Sequence, residues 1–352
     1  SVWLSFSTPD LQSVNSVGEV KIKHDIVQAK DVVAALTQAK NKHLTDDLYL
    51  MHYAQQGIAL DGNAEMIDDA IGMQASDLMV LYHLMMMPVK GRQNLQQLLL
   101  ECDVSIDQML FDAVSTAEYG LLPEEKYHGV CLIDIGASTT SICVYREDKL
   151  IYTHCFAEGG HHATLDISML LDVTIAEAEN MKKSQANVDR HGIDSSQFFT
   201  IKRSQHDDEK TINMLELLEV TEARYISILG HIKKELDKEG LSEFLQLVYV
   251  ITGGGAEMRG LLPLAKKIFA NKVNKVNQHS AISAYTQYGD DDKLRTIAAM
   301  IGERKYQTAF GTLLYSQSEA FHHSEKSSPD SLQVQPMREK IKTVNKFFGK
   351  FF

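Results

Sequence analysis

The chain has 352 residues, a formal net charge of −12, 44% hydrophobic residues and 23% charged ones. That length supports at least two compact domains, and the acidic balance, with no basic patch in the body of the chain to offset it, argues against general nucleic-acid binding. No secretory signal opens the chain and no apolar run reaches the ~18 residues of a membrane span, so nothing reads as crossing a bilayer.

The first predicted element is a strand-like run at 2–6, and a start at Ser1 in place of Met reads as an internal start. Val32, Val33, Leu36 and Ala39 recur at helical spacing and predict a helix over 31–40, while 49–59 and 78–84 read as extended. The longest apolar cluster, 78–89, is interrupted by His83, stopped by Pro88, and reads as buried strand. Helical spacing returns at 91–102. Asp112 stands before a further helical stretch, where an acidic residue most often caps the helix.

The most informative stretch is 129–145, GVCLIDIGASTTSICVY. Its first half is rich in β-branched residues and ends on Asp134, a carboxylate that a strand delivers to a loop, where it suits a metal-bound water. Gly136, Ser138, Thr139 and Thr140 form a small, hydroxyl-rich loop whose backbone amides and hydroxyls suit phosphate oxygens, and Ile142, Val144 and Tyr145 restart a strand. Cys131, Cys143 and Cys155 lie in or beside strands as small apolar residues, and with Cys102 they show no metal-ligand spacing. A reducing cytoplasm is expected. The pairs His161–His162 and His322–His323 lack a third ligand at matching spacing and are not read as metal sites.

Polarity rises over 188–210, which reads as a solvated loop, and 211–238 carries a long helical pattern. A second strand-like run, 247–252, is followed by Gly253, Gly254 and Gly255 and then by a helical pattern from Met258 to about Phe269. Three residues without Cβ at a strand-to-helix junction suit the base or α-phosphate of a nucleotide. Residues 317–336, without periodicity, read as a flexible linker.

The last sixteen residues differ from everything before them. Met337, Ile341, Val344, Phe348 and Phe351 form one helical stripe flanked by Phe347 and Phe352, and Arg338, Lys340, Lys342, Lys346 and Lys350 line the rest, opposed only by Glu339. As a helix this segment is about 24 Å long, enough to lie on a bilayer. Burying its apolar side chains contributes ~10 kcal/mol at most and ordering the chain offsets a comparable amount. The basic face, at roughly 1 kcal/mol per charge near anionic lipid, then tips the balance towards the membrane. The alternatives are a helix docked on its own domain or in a partner's cleft.

Taken together, the phosphate-compatible hairpin, Asn15 to Lys23, Glu118 to Leu122, Gly159–Gly160 with Thr164 to Ile167, Ala176 to Lys182, Glu219 to Tyr225, TGGGAEMRGL from Thr252 and the basic, phenylalanine-rich tail resemble, in order, the FtsA family of bacterial cell-division proteins. The resemblance implies an α/β, actin-like (ribonuclease H-like) two-lobed ATPase fold with a small inserted α+β subdomain. It implies the insertion at 1–85, the remainder of the first lobe at 86–128, the second lobe at 129–290, a closing helical segment at 291–316, the linker at 317–336 and the membrane-targeting helix at 337–352. ATP and Mg²⁺ are the implied ligands, with Asp134 holding Mg²⁺ through water. Gly160, Lys182, Arg224 and Met258 join the two glycine-bearing loops as nucleotide contacts, and Asp112 falls where relatives place a water-orienting side chain. The implied partners are the FtsZ C-terminal tail, anionic lipids, other copies of the chain and later division proteins, at the cytoplasmic face of the inner membrane at the septum.

This sequence departs from the family pattern at Ala137 and Ser138, which replace two glycines, and at Ser141, which stands for an Asp. Those changes are expected to weaken hydrolysis more than binding, which favours an adaptor over an enzyme. A pilus-assembly relative of the family and a small-molecule kinase of the same superfamily are the alternatives.

Overall fold

The computed structural model describes residues 2–191, 196–202, 209–243, 248–270, 272–276 and 306–317. The expected linker beyond Gln317, the amphipathic segment 337–352 and most of the expected closing segment 291–316 lie outside the described residues.

A five-stranded sheet organises the molecule. It runs in the order β12 (Val273–Lys275), β11 (Val248–Thr252), β6 (Val130–Ile135), β7 (Thr140–Arg146), β8 (Lys149–Phe156). β12, β11 and β6 are parallel, and β6, β7 and β8 form an antiparallel meander. The sheet is a wall between two cores, which is why β6 reads as an unbroken apolar run instead of an alternating one. Cys131, Ile133 and Ile135 face one core with Ile142 and Val144, whereas Val130 and Leu132 face the other with Cys143 and Tyr145.

The first core is closed by α5 (Gly160–Leu170), α6 (Ile175–Ser184), α7 (Met214–Lys238) and α8 (Leu261–Ile268). Part of the expected solvated loop 188–210 instead forms strand: β9 (Phe198–Lys202) pairs antiparallel with β10 (Glu209–Asn213), and Asn213 then caps α7 by accepting from the Leu215 amide at 2.8 Å. Phe199 and Ile201 sit two apart in β9 and pack on the first core, as a strand requires, but the flanking polar residues hide them in a composition average.

The second core gathers β1 (Trp3–Phe6), which pairs in parallel with β5 (Gln108–Phe111), together with α3 (Asp112–Gly120) and α9 (Gln307–Tyr315). α3 and α9 cross so closely that a Cβ on Gly311 would stand 1.8 Å from the Ser115 carbonyl oxygen. The short α4 (Pro123–His128) links α3 to β6.

The insertion is a three-stranded antiparallel sheet in the order β2 (Gln12–Lys21), β4 (Asp77–Pro88), β3 (Leu48–Leu60), with α1 (Ala29–Asn41) packed on one face around Val32, Ala35, Leu36 and Ala39. β4 is almost wholly buried, as its apolar run predicts. β1 pairs outside this sheet, so the expected unit 1–85 shares its first strand with the lobe that follows. α2 (Val89–Leu100) leads from β4 back to that lobe. The insertion also rests on the sheet edge at β8: Ser13, Asn15 and Gln56 donate to the Thr153, Ile151 and Leu150 carbonyls, and buried His83 joins Asn15 (2.7 Å) to Thr153 (2.9 Å).

Candidate functional site

The hairpin loop between β6 and β7 is closed by the Gly136 amide donating to the Thr139 carbonyl at 2.9 Å. No residue of 136–139 has a positive φ, so Ala137 and Ser138 occupy the turn without backbone strain. The loop turns its carbonyls towards α5: the Gly160 amide donates to the Gly136 oxygen at 2.9 Å and the His161 amide to the Ala137 oxygen at 2.7 Å. The loop thereby satisfies two of the unpaired amides at that helix start. Gly159 permits the approach, since a Cβ there would lie 2.6 Å from the Ala137 oxygen. α5 therefore starts at Gly160. The Thr140 hydroxyl donates to the Glu158 carbonyl at 2.7 Å, and the Thr139 hydroxyl meets Ser7 at 3.1 Å.

Thr252, at the end of β11, lies beside Asp134 in register. Gly253 then adopts φ +89, and a Cβ on it would stand 2.3 Å from Asp134 Oδ1. Gly254 to Glu257 form a single 3₁₀ turn, and the Tyr225 hydroxyl on α7 donates to the Gly255 oxygen at 2.9 Å. The regular helix α8 begins only at Leu261, after left-handed Gly260, and not at Met258.

Between these parts lies a cavity of about 350 Å³. Of the residues predicted from sequence, it brings together Gly136, Gly160, Lys182, Gly254, Gly255 and Met258, and it adds Ala137, His161, Glu179, Lys183, Tyr225, Glu257 and Arg259. Lys182 Nζ is held by Glu179 (2.7 Å), Thr164 Oγ1 (2.8 Å) and the Gly160 carbonyl (2.9 Å). Burial opposes ionisation of Glu179, but hydrogen bonds from Lys182, Thr164 and Lys183 outweigh it and hold the carboxyl down at about 2. The spacing Glu179-x-x-Lys182-Lys183 puts these groups on one face of α6, the signal from which Glu179 and Lys183 were readable. Tyr225 and Arg259 carry no such local signal, because the fold alone brings them to the cavity.

The remaining expected contacts stand elsewhere. Thr139, Thr140, Ser138 and Gly253 are not among the lining residues. Arg224 pairs with Asp166 in a two-pronged contact (2.6 and 3.0 Å) and with Glu158 (3.6 Å), away from the lining. The nine membrane candidates, Ile341, Lys342, Val344, Lys346, Phe347, Phe348, Lys350, Phe351 and Phe352, lie outside the described residues.

Behind the glycine turn is a partly buried polar cluster. Asp134 Oδ2 accepts from Thr116 at 3.0 Å, and Thr116 meets Thr308 of α9 at 2.9 Å. Burial, then the charge of Asp112, pushes the Asp134 carboxyl up to about 7. Asp112 is the first residue of α3 and not its N-cap. Burial raises its pKa too, opposed by hydrogen bonds from Ser7, Ser141 and the Ala113 amide. Ser141, at the position of the expected Asp, is buried beside this pair. Among the described residues no three His, Cys, Asp or Glu side chains gather as a metal cage, and none of the helices is long and apolar enough to cross a membrane.

Comparison with known proteins places this geometry. A family model described as cell division protein FtsA matches residues 131–300, and one described as the SHS2 domain inserted in FtsA matches 9–86. Over its full length the chain is 26% identical to the cell division protein FtsA of Buchnera aphidicola subsp. Acyrthosiphon pisum (strain APS), covering 82% of that protein, and 24% identical to that of Escherichia coli (strain K12), also covering 82%. Among solved structures, a chain of a PilM–PilN type IV pilus biogenesis complex superposes with a TM-score of 0.54 over 90% of this chain and 77% of that one, at 14% identity. The fold is therefore actin-like, an α/β architecture with an inserted SHS2 domain.

Proposed function

Because the chain belongs to the FtsA family of bacterial cell-division proteins, we propose that it is an actin-like adaptor, governed by ATP with Mg²⁺, that tethers FtsZ to the cytoplasmic face of the inner membrane. In this reading it acts at the septum, assembles with copies of itself and recruits later division proteins. The observation that carries the proposal is the cavity between the β6–β7 loop, α6 and the glycine turn.

The residues there fit a nucleotide. A volume of about 350 Å³ is at the small end of ligand cavities and suits an adenosine with its first phosphate. Gly254 has open space where a Cβ would lie, so a planar base can approach its backbone. Lys182, Lys183 and Arg259 supply positive charge, and Glu179 and Glu257 supply acceptors for ribose hydroxyls. The donor set also fits a divalent cation carried in with phosphate: Mg²⁺ keeps most of its waters and needs only one or two carboxylates, here Asp134 with Asp112 behind it. Bound there, the cation would supply charge neutralisation at the phosphates. Asp134 would lose its proton, Thr116 would keep that carboxylate oriented, and the Gly253 turn would keep its Oδ1 uncovered. With Ser141 in place of an acidic group, binding is favoured over turnover.

The exposed apolar residues Met169 (75%), Leu170 (64%) and Ile175 (52%) on the α5–α6 side of the second lobe support docking of the FtsZ tail there. The test is flotation of the purified chain with FtsZ and anionic vesicles in ATP and Mg²⁺. The expected result is that FtsZ floats only with the chain present, and that deleting residues 337–352 leaves both proteins in the soluble fraction. Flotation that survives the deletion, or FtsZ that never floats, contradicts the proposal.

A further inference from the structure

We propose that the acidic, partly apolar segment 61–77 of the insertion is a dock for this chain's own basic C-terminal segment, 337–352. Residues 61–77 contain Asp61, Glu65, Asp68, Asp69 and Asp77 and no Lys or Arg. The same stretch leaves Met66, Ile71 and Met73 exposed at 43%, 42% and 46%, an unusual share for side chains of that size on one short connection. Its backbone is pinned in place. Ile67 bridges Ile58 of β3, the Gly72 amide donates to the Val27 oxygen at 2.9 Å, and Ala70 and Ala75 are buried in the insertion core, so the exposed side chains stand on a fixed base. The adjoining β2–α1 turn adds Asp25 and exposed Ile26 but also Lys23, with Lys30 following in α1, and Lys149 of β8 pairs with Asp68, so the negative complement is concentrated on the rest of 61–77.

The occupant follows from charge and from where the described chain ends. Segment 337–352 carries five Lys or Arg against one Glu, together with six residues of Phe, Ile or Val type at 341, 344, 347, 348, 351 and 352, the converse of the insertion segment in charge and its match in apolar character. α9 ends at Tyr315, whose hydroxyl meets His52 Nε2 of β3 at 2.7 Å, so the chain leaves the lobe beside the insertion itself. From His52, β3 continues to Gly57, against which Met66 packs: a Cβ there would lie 3.2 Å from Met66 Cβ. Five residues of strand cover roughly 17 Å. The nineteen residues 318–336 between Gln317 and Met337 reach up to roughly 65 Å at full extension, so the dock is well inside covalent reach. Tethering of this kind gives an effective concentration on the order of millimolar, enough to populate a contact that two separate molecules would scarcely form. The apolar residues of α5 and α6 are part of the other lobe, whose core does not include β3.

The consequence is competition. The same cations and phenylalanines that suit anionic lipid are occupied when the segment lies on the insertion, so docking and membrane attachment exclude each other. Docking itself does not rest on the proposed membrane role; only this consequence does.

The test is a full-length chain with benzoylphenylalanine at position 348, irradiated at low concentration without vesicles, beside the same chain carrying Glu65→Lys and Ile71→Lys. Both positions are exposed, and an unchanged melting temperature checks that the variant is folded. The expected product is an intramolecular cross-link to the 61–77 peptide, with a yield at least about fivefold lower in the double variant. The variant should also bind phosphatidylglycerol vesicles at least about threefold more tightly. A product of twice the chain mass, a cross-link to another part of the chain, or an equal yield in the double variant overturns the dock. If the cross-link behaves as expected and neither protein binds vesicles, the dock stands and the membrane role falls.

Discussion

Asp134 is the residue on which chemistry and folding meet. Its carboxyl is half-buried beside a second acid, and its pKa of about 7 stands above the ordinary 3.8, so the folded protein holds that proton more tightly than the unfolded chain does. The corresponding contribution to stability is complete below about pH 4 and is lost as pH rises through about 7, amounting to a few kcal/mol. Melting temperatures measured from pH 5 to pH 8.5 should therefore fall more steeply for the native chain than for Asp134→Asn, and Mg²⁺ with ATP should recover the loss in the native chain alone. Parallel curves for the two proteins would show that Asp134 does not carry the buried proton. Gly253 gives a second prediction at this scale. Ala there meets both an unfavourable φ and the Asp134 oxygen, so Gly253→Ala should cost at least about 1–3 kcal/mol of stability. Gly254→Ala, with nothing within 4 Å, should keep the fold and act only on ligand affinity. Thermal denaturation of both variants with and without ATP separates the two effects.

At the scale of elements, β4, β6 and β11 were legible because their residues are extreme, whereas β2, β5 and β8 were not read as strands. β6 and β11 are short, β-branched and bounded by glycine, and β4 is an apolar run stopped by a proline. Element starts were less legible, because they depend on contacts distant in sequence. α5 begins at Gly160 since its first amides find the β6–β7 carbonyls, and α8 waits until Leu261 since Gly260 turns left-handed against Asn187. The β9–β10 hairpin was missed because its flanks are polar. The same logic divides the expected site residues. Lys182 reaches the cavity because helical spacing sets its face, whereas Arg224, similar in sequence terms, is held by Asp166 and Glu158 on α5 and its approach. Arg224→Lys loses the two-pronged carboxylate contact and should lower the melting temperature by a few degrees while leaving nucleotide affinity within about twofold. A large loss of affinity at unchanged stability would place Arg224 in the site after all.

At the scale of the molecule, the five-stranded sheet carries the hairpin and the glycine turn on neighbouring strands, so the cavity is fixed by the same register that fixes the core. The insertion is attached to this body at the β8 edge and at the end of α9. The candidate membrane segment follows from the chain's composition and pattern alone. An adaptor governed by ATP first requires that the cavity be a nucleotide site. Equilibrium binding of a fluorescent ATP analogue with Mg²⁺ to the full chain and to Lys182→Ala tests this directly. The expected result is saturable binding that unlabelled ATP displaces and that weakens at least about tenfold in the variant, the loss of one charge-assisted contact. Absence of saturable binding to the native chain, or equal affinity in the two proteins, would contradict it.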